Sequence, residues 1–273
     1  MIGRTLNLGN LANRNASLNR GRMAWWLTLQ GGGYYGGTRL LDLMGENHGT
    51  LTNGPTWQSA QGRPGGSGSI DGDGTDKFIE LPRTVPNFGS GDYTFGCWFL
   101  TRDTVARQIL FAKDDPAGRQ FHCTAPNPNV GGFATFHVDT TEVARTAIAI
   151  AVNTWYHLVV SRVGTTTTIY LNGKPDGSGT SVNMVSQDVP FRLGGRSYSG
   201  FTDNLNGLYD EFSIFNRGFT DAEVLALYNE SRAGSPDTLH WIRRPWLAQT
   251  AAAASVGRGL THSTKLGRLQ LCG

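Results

Sequence analysis

The sequence predicts an all-β protein: an antiparallel β-sandwich with one short helix near its C-terminal end and an extended tail at either end. Three observations carry this. Residues 207–215 place Leu208, Phe212 and Ile214 in alternation with polar positions, the period-two pattern of a half-buried strand. Runs of similar length recur along the middle of the chain, separated by Gly- and Asn-containing turns. The 37 glycines, beside only 16% charged residues, supply the tight turns that such a succession of short strands needs.

Taken in order, residues 1–22 hold Arg4, Arg14, Arg20 and Arg22 and no acid, and read as a basic tail. Residues 23–29 (MAWWLTL) are the first strand candidate, and the Gly-rich stretch 30–37 loops out. A second loop, 58–69, leads into a turn at Asp71. Strands are expected at 77–81, 93–100, 107–113, 132–138, 146–151, 155–163, 166–172, 189–194 and 205–216. Val163-Gly164-Thr165 and Asn172-Gly173-Lys174 read as hairpin turns, with Gly or Asn supplying positive φ. Thr220-Asp221-Ala222-Glu223 is a capping box, in which hydroxyl and carboxylate satisfy each other's backbone N–H groups. Val224, Leu225, Leu227 and Tyr228 then form an apolar stripe, and Gly234 is a good stop, so a helix is expected over 221–231. Residues 235–273 form a second basic tail, where Trp241, Arg243, Arg244 and Trp246 interleave aromatic and cationic side chains that are costly to leave exposed. The sandwich then occupies 23–234, a usual size for one all-β domain.

Charge follows the same division. Each tail carries a net of +4, while residues 23–234 hold 15 basic and 20 acidic residues. Tails and body of opposite sign favour docking of the tails on an acidic neighbour; solubility alone would also account for the bias. The body lacks a run of about 18 apolar residues, so no membrane insertion is expected. The first residues lack the apolar segment of a secretory signal, and three cysteines make no disulfide framework; both suit a chain made in a reducing cytoplasm. Cys97 reads as a buried thiol, with a bridge to Cys123 left open. No nucleic-acid-binding module is present, so no specific nucleic acid is expected.

Chemistry is sparse. There is no G-x-S-x-G, H-E-x-x-H or Walker loop. Asp210 and Glu211 are sequential, and on a regular strand they would face opposite ways. His122 and His137 can face each other across neighbouring strands, and His157 reads as structural. Asp71, Asp73 and Asp76 gather three carboxylates in one Gly-rich turn, the inventory a hard cation such as calcium wants; Asp-Gly pairs are equally ordinary turn formers. Tyr34, Tyr35, Tyr198 and Phe201, with Arg196, lie in Gly- and Ser-rich loops, where aromatics suit sugar stacking or a protein contact, or simply cover a sheet edge.

Six blocks of the sequence carry a resemblance. They are residues 47–57 (NHGTLTNGPTW), 70–79 (IDGDGTDKFI), 92–99 (DYTFGCWF), 153–160 (NTWYHLVV), 169–174 (IYLNGK) and 205–228 (LNGLYDEFSIFNRGFTDAEVLALY). In this order they resemble the laminin-G-like domains of the concanavalin A-like lectin/glucanase superfamily. The resemblance implies a jelly-roll sandwich used mainly for binding. It also implies a structural calcium between the Asp71 turn and an aspartate of the last strand, a position that Asp210 matches. The superfamily's laminarinase branch sets its carboxylates as E-x-D-x-x-E, which this chain lacks, so catalysis is not expected. The expected function is a non-catalytic binding or structural protein, anchored by its tails to neighbouring subunits or to capsid or tail proteins. A phage virion component presenting a glycan- or protein-binding surface fits; the alternative is a free or secreted lectin recognising cell-surface glycans.

Overall fold

The computed structural model describes residues 16–26, 38–45, 47–58, 61–66, 68–86, 88–115, 118–185, 188–196 and 203–232, all within the unit Met1–Gly234. In chain order these form α1 (Ala16–Asn19), β1 (Arg22–Trp26), β2 (Arg39–Leu40), β3 (Gly49–Thr52), β4 (Thr56–Gln58), β5 (Ser69–Asp73), β6 (Phe78–Leu81), β7 (Tyr93–Thr101) and β8 (Ile109–Asp115). There follow β9 (Gly118–Asn127), a 3-10 turn (Pro128–Val130), β10 (Phe133–Val138), β11 (Thr141–Ala149), β12 (Tyr156–Val163), β13 (Thr166–Leu171), β14 (Lys174–Thr180), β15 (Phe191–Leu193), β16 (Asn206–Phe215) and α2 (Asp221–Arg232).

The strands make two antiparallel sheets. The first runs β14-β13-β12-β7-β16-β5-β4, with β1 also on β16; the second runs β11-β10-β9-β8-β15-β6-β3-β2. Their inner faces enclose the main core. Phe95 lies at its middle, its ring 5.0 to 6.5 Å from those of Phe111, Phe121, Phe136 and Phe212. Offset and tilted rings at such spacings add attraction beyond their buried area. Cys97 and Cys123 are both buried in this core as free thiols.

A second, smaller core lies outside the first sheet. There Val224 and Leu227 of α2 pack with Val159, Tyr170, Phe215, Phe219 and Leu18. The capping box forms as expected: Thr220 Oγ1 accepts from Glu223 N at 3.3 Å, and Glu223 Oε2 accepts from Thr220 N at 3.0 Å. Leu225, expected in the apolar stripe, faces solvent instead. The outer face of the first sheet is therefore occupied by its own helix.

Several elements differ from expectation. Leu18 and Arg22, placed in a tail by composition, belong to the body: Leu18 is in the helix-side core, and the Arg22 guanidinium lies over Trp25 and Phe215 at 4.4 and 4.9 Å. The Arg20 carbonyl accepts from Arg217 Nε. Strand β9 falls in a stretch where no strand is expected, and β11 begins earlier than expected. Strand β14 lacks an apolar face altogether. It forms because Gly177 and Gly179 let it close against β11, where a Cβ at Gly177 would stand 1.8 Å from the Arg145 carbonyl oxygen. Asp176 then accepts from the Ala147 and Ile148 N–H groups, so two edges of the sandwich protect each other.

Candidate ligand-binding face

With α2 on the first sheet, no helix of the described residues packs on the outer face of the second, although its central outward residues Ala112, His122, Thr124 and Thr135 are buried. Period-two alternation sets its side chains. On β9, Phe121, Cys123 and Ala125 point into the core, so His122 and Thr124 point out; on β10, Phe136 and Val138 point in, and His137 points out. Register then aligns one outward residue per strand into a row across all eight: Glu142, His137, His122, Ala112, Arg192, Glu80, Thr50 and Arg39. Charges and imidazoles make up most of the row.

The β10–β11 end is the most structured. The His122 and His137 rings stack with centroids 4.5 Å apart and planes 9° apart. Three guanidiniums surround them. Arg107 and Arg196 converge on Asp203 Oδ2 at 2.6 and 2.8 Å, and Arg145 Nε donates to Glu142 Oε1 at 2.7 Å. Burial first, then Arg107, Arg145 and Arg196, hold His137 below its ordinary range against the pull of Glu142. The His137 ring thus gives up its proton more readily than a free imidazole, stacked on the buried His122 and beside a donor-rich rim.

Expected residues meet varied outcomes. Asp71 is gripped by Arg102 at 2.6 and 3.0 Å and also accepts from Gln58. Asp73 accepts from Thr75 N and Oγ1, with Lys77 at 3.4 Å, and Asp76 takes a long bond from the same hydroxyl. Asp210 pairs with Arg63 at 2.9 Å. The structure does not bring the four together, and no cluster of three or more metal-ligating side chains exists among the described residues. Arg196 lies in the rim just described. Tyr34, Tyr35, Tyr198, Phe201, Arg4, Arg14, Trp241, Arg243, Arg244 and Trp246 lie outside the described residues.

Asp210 and Glu211 correct the strand argument. Glu211 has φ +55°, and the β16–β7 register shifts between Asp210 and Ser213. This bulge turns both consecutive carboxylates toward one guanidinium, with Arg63 Nε at 2.9 Å from Asp210 and Nη2 at 2.9 Å from Glu211. The site falls between β5, which pairs β16 at Asn206–Tyr209, and β1, which pairs it from Phe212 onward. Arg63 Nη1 also donates to the Ser231 carbonyl, and its guanidinium lies 5.6 Å over Trp98. Burial raises Glu211 to about 7 against the opposing charge of Arg63.

The described geometry is a two-sheet jelly roll with one capped helix after its last strand. A family model described as the concanavalin A-like lectin/glucanases superfamily matches residues 73–225, more than half the chain. The chain belongs to this superfamily. Solved structures similar to it share the fold. Domain 4 of AbnA, a GH43 extracellular arabinanase from Geobacillus stearothermophilus, in complex with arabinotriose, aligns with TM-score 0.59 and 21% identity over 76% of this chain and 98% of that domain. The binding domain of Paraclostridial Mosquitocidal Protein 1 aligns with TM-score 0.59 and 16% identity, over 76% of this chain and 52% of that one. A mutant of Trypanosoma rangeli sialidase displaying trans-sialidase activity aligns with TM-score 0.57 and 12% identity, over 78% of this chain but 33% of that one, so the chain spans about a third of the sialidase. No curated protein sequence matches the chain.

Proposed function

We propose that this chain is a non-catalytic carbohydrate-binding sandwich whose ligand lies on the outer face of the second sheet. The observation that carries the reading is the polar row across that face, with a stacked imidazole pair set among guanidiniums. Sugars are bound by flat rings beneath their C–H faces and by planar donors beside their hydroxyls. The superfamily is a lectin and glucanase fold. The AbnA domain, which shares this architecture over nearly its whole length, is solved with a bound arabinose trisaccharide.

The absence of catalysis is supported by the fate of Asp210 and Glu211. A retaining glycosidase needs one carboxylate free to attack and another poised to donate a proton. Here both belong to Arg63, and their side chains are 1% and 13% exposed. This reading does not require calcium; Asp71 and Asp210 each hold a guanidinium.

The test is a glycan panel probed with the full chain, and with His137→Ala and Arg145→Ala variants. Saturable binding to at least one saccharide class is expected, falling at least tenfold in both variants. No binding across the panel, or binding that both variants leave unchanged, contradicts the reading.

The basic ends favour a second role. Tails of +4 on a body of −5 suit attachment to an acidic neighbour in a larger assembly. A phage virion is one such assembly, though the relatives lend that placement no support. Light scattering decides the point: the full chain is expected to form defined oligomers or join an acidic partner, and residues 16–234 to stay monomeric. Identical behaviour of the two removes the tail reading.

A further inference from the structure

We propose that Arg63, Asp210 and Glu211 form a proton-operated clasp on the last turn of α2, closed while Glu211 carries a proton and loosened when it ionises. The clasp joins three parts of the fold. The segment between β4 and β5 supplies Arg63, the β16 bulge supplies both acids, and α2 supplies the Ser231 carbonyl, which accepts from Arg63 Nη1. Ser231 is held from a second side: its hydroxyl accepts from Trp98 Nε1 at 2.9 Å and donates to the Tyr228 carbonyl at 3.0 Å. A turn shapes the Arg63 segment. Gly66 N donates to the Arg63 carbonyl at 2.8 Å, and a Cβ at Gly66 would stand 3.0 Å from Asp210 Oδ2. One guanidinium thus pins both this turn and the helix end to β16.

The charges around Glu211 make the clasp proton-dependent. Those facing it are Arg63, Asp210 beside it on β16, Arg22 of β1 and Glu230 of α2. Two cations and two anions cancel, so an ionised Glu211 adds an uncompensated charge to a largely buried site, which is costly. His157 of β12, in ring contact with Trp98, adds no charge above about pH 3, since burial and then Arg63 keep it neutral. Trp98 of β7, 5.6 Å beneath the guanidinium, is uncharged. A proton on Glu211 removes the excess and leaves the geometry intact, because its carbonyl oxygen still accepts from Arg63 Nη2. Two adjacent carboxylates that share one guanidinium release their protons as a coupled pair, and the second leaves late. Burial, the largest influence, raises Glu211 to about 7, in line with this balance. Of the two acids Glu211 is also the one nearer water, 13% exposed against 1% for Asp210. Once ionised it gains by turning outward, which undoes the bulge and draws Arg63 from the Ser231 carbonyl.

The experiment is amide hydrogen exchange of the full chain between about pH 5.5 and 8.5, corrected for the intrinsic pH dependence of exchange and read over residues 61–66 and 226–232. Glu211 holds its proton more tightly in the closed clasp than in an open one. Protection is therefore expected to be highest at the acid end and to be lost as pH rises through about 7. A fall of at least about fivefold is expected in the parent chain, and none in Glu211→Gln, whose amide stands in for the protonated acid. Should that variant fold poorly, carbon-13 NMR of the Glu211 carboxyl in the parent chain decides. A midpoint well above that of a free glutamate, coinciding with the loss of protection, supports the clasp. Protection that stays flat in the parent chain, a fall that Glu211→Gln retains, or a Glu211 carboxyl already ionised at the acid end overturns it.

Discussion

At Glu211 one torsion decides where two carboxylates go. Its left-handed φ is rare for a side chain of this length, and it persists because Arg63 rewards it with two ion pairs in a largely buried site. Removing the guanidinium strands both acids. Arg63→Met is therefore expected to cost about 3–5 kcal/mol in a urea denaturation experiment, the range for breaking one partner out of a buried pair. Gly194 tests residue-level packing in another way. Its φ is +77°, and a Cβ there would stand 1.7 Å from the Tyr209 hydroxyl. Gly194→Ala is expected to lower the midpoint of thermal unfolding by several degrees, since backbone and ring would both have to move. Neither residue was legible in the sequence. Alternation places Asp210 and Glu211 on opposite faces, and only a bulge, which a non-glycine residue at positive φ does not announce, reverses that. The His122–His137 juxtaposition was legible, because each lies one position from residues that must face the core.

At the scale of elements, α2 was legible down to its cap, because a capping box is a local chemical pattern. Thr220→Ala is expected to cost about 1 kcal/mol, read by the same denaturation experiment. Beneath this helix His157 is buried between Trp98 and Tyr228, its ring 5.1 and 5.8 Å from theirs. Burial, and then Arg63, depress its pKa to about 3. The unfolded chain thus binds a proton near pH 6.5 that the folded chain refuses, so this group's share of stability is full above 6.5 and falls as pH drops toward 3. Glu211, raised to about 7, acts in the opposite sense: the fold takes up its proton more readily, so its share of stability rises as pH falls from 7 toward 4.5. His157→Phe keeps an aromatic ring and removes the first of these. The melting temperature of the variant relative to the parent chain is expected to climb steadily as pH falls from 7 to 4.5; a constant difference contradicts this account. Strands β9 and β14 were not legible, for different reasons. The first hides behind Gly118 and Pro126 at its two ends, and the second forms through backbone approach to β11, which side-chain patterns do not record.

On the scale of the whole molecule, the two outer faces of the sandwich have different fates. One is sealed by α2 and by α1, whose Leu18 joins the helix-side core. The other carries a polar row whose two ends, Glu142 and His137 on one side and Thr50 and Arg39 on the other, reach the surface, while Ala112 and His122 between them are buried. The N-terminal boundary follows from the same packing: a chain cut after residue 22 loses Leu18 from beneath α2 and Arg22 from over Phe215. It is expected to melt at a lower temperature than one beginning at residue 16. The fold class was legible because it rests on repeated patterns, alternating strands parted by Gly- and Asn-containing turns and a terminal capped helix. The face was legible only in part, because a row running across eight strands is a property of register, and register is set by bulges and turns far apart in sequence.

The central claim is that the saccharide lies on the second sheet. Amide hydrogen exchange of the full chain, with and without the tightest-binding oligosaccharide, tests it most directly. The account predicts slowed exchange in β9, β10 and β11 and in the segment around Arg107, with α2, β12 and β13 unchanged. Protection confined to α2 and the first sheet, with the second sheet untouched, would contradict it.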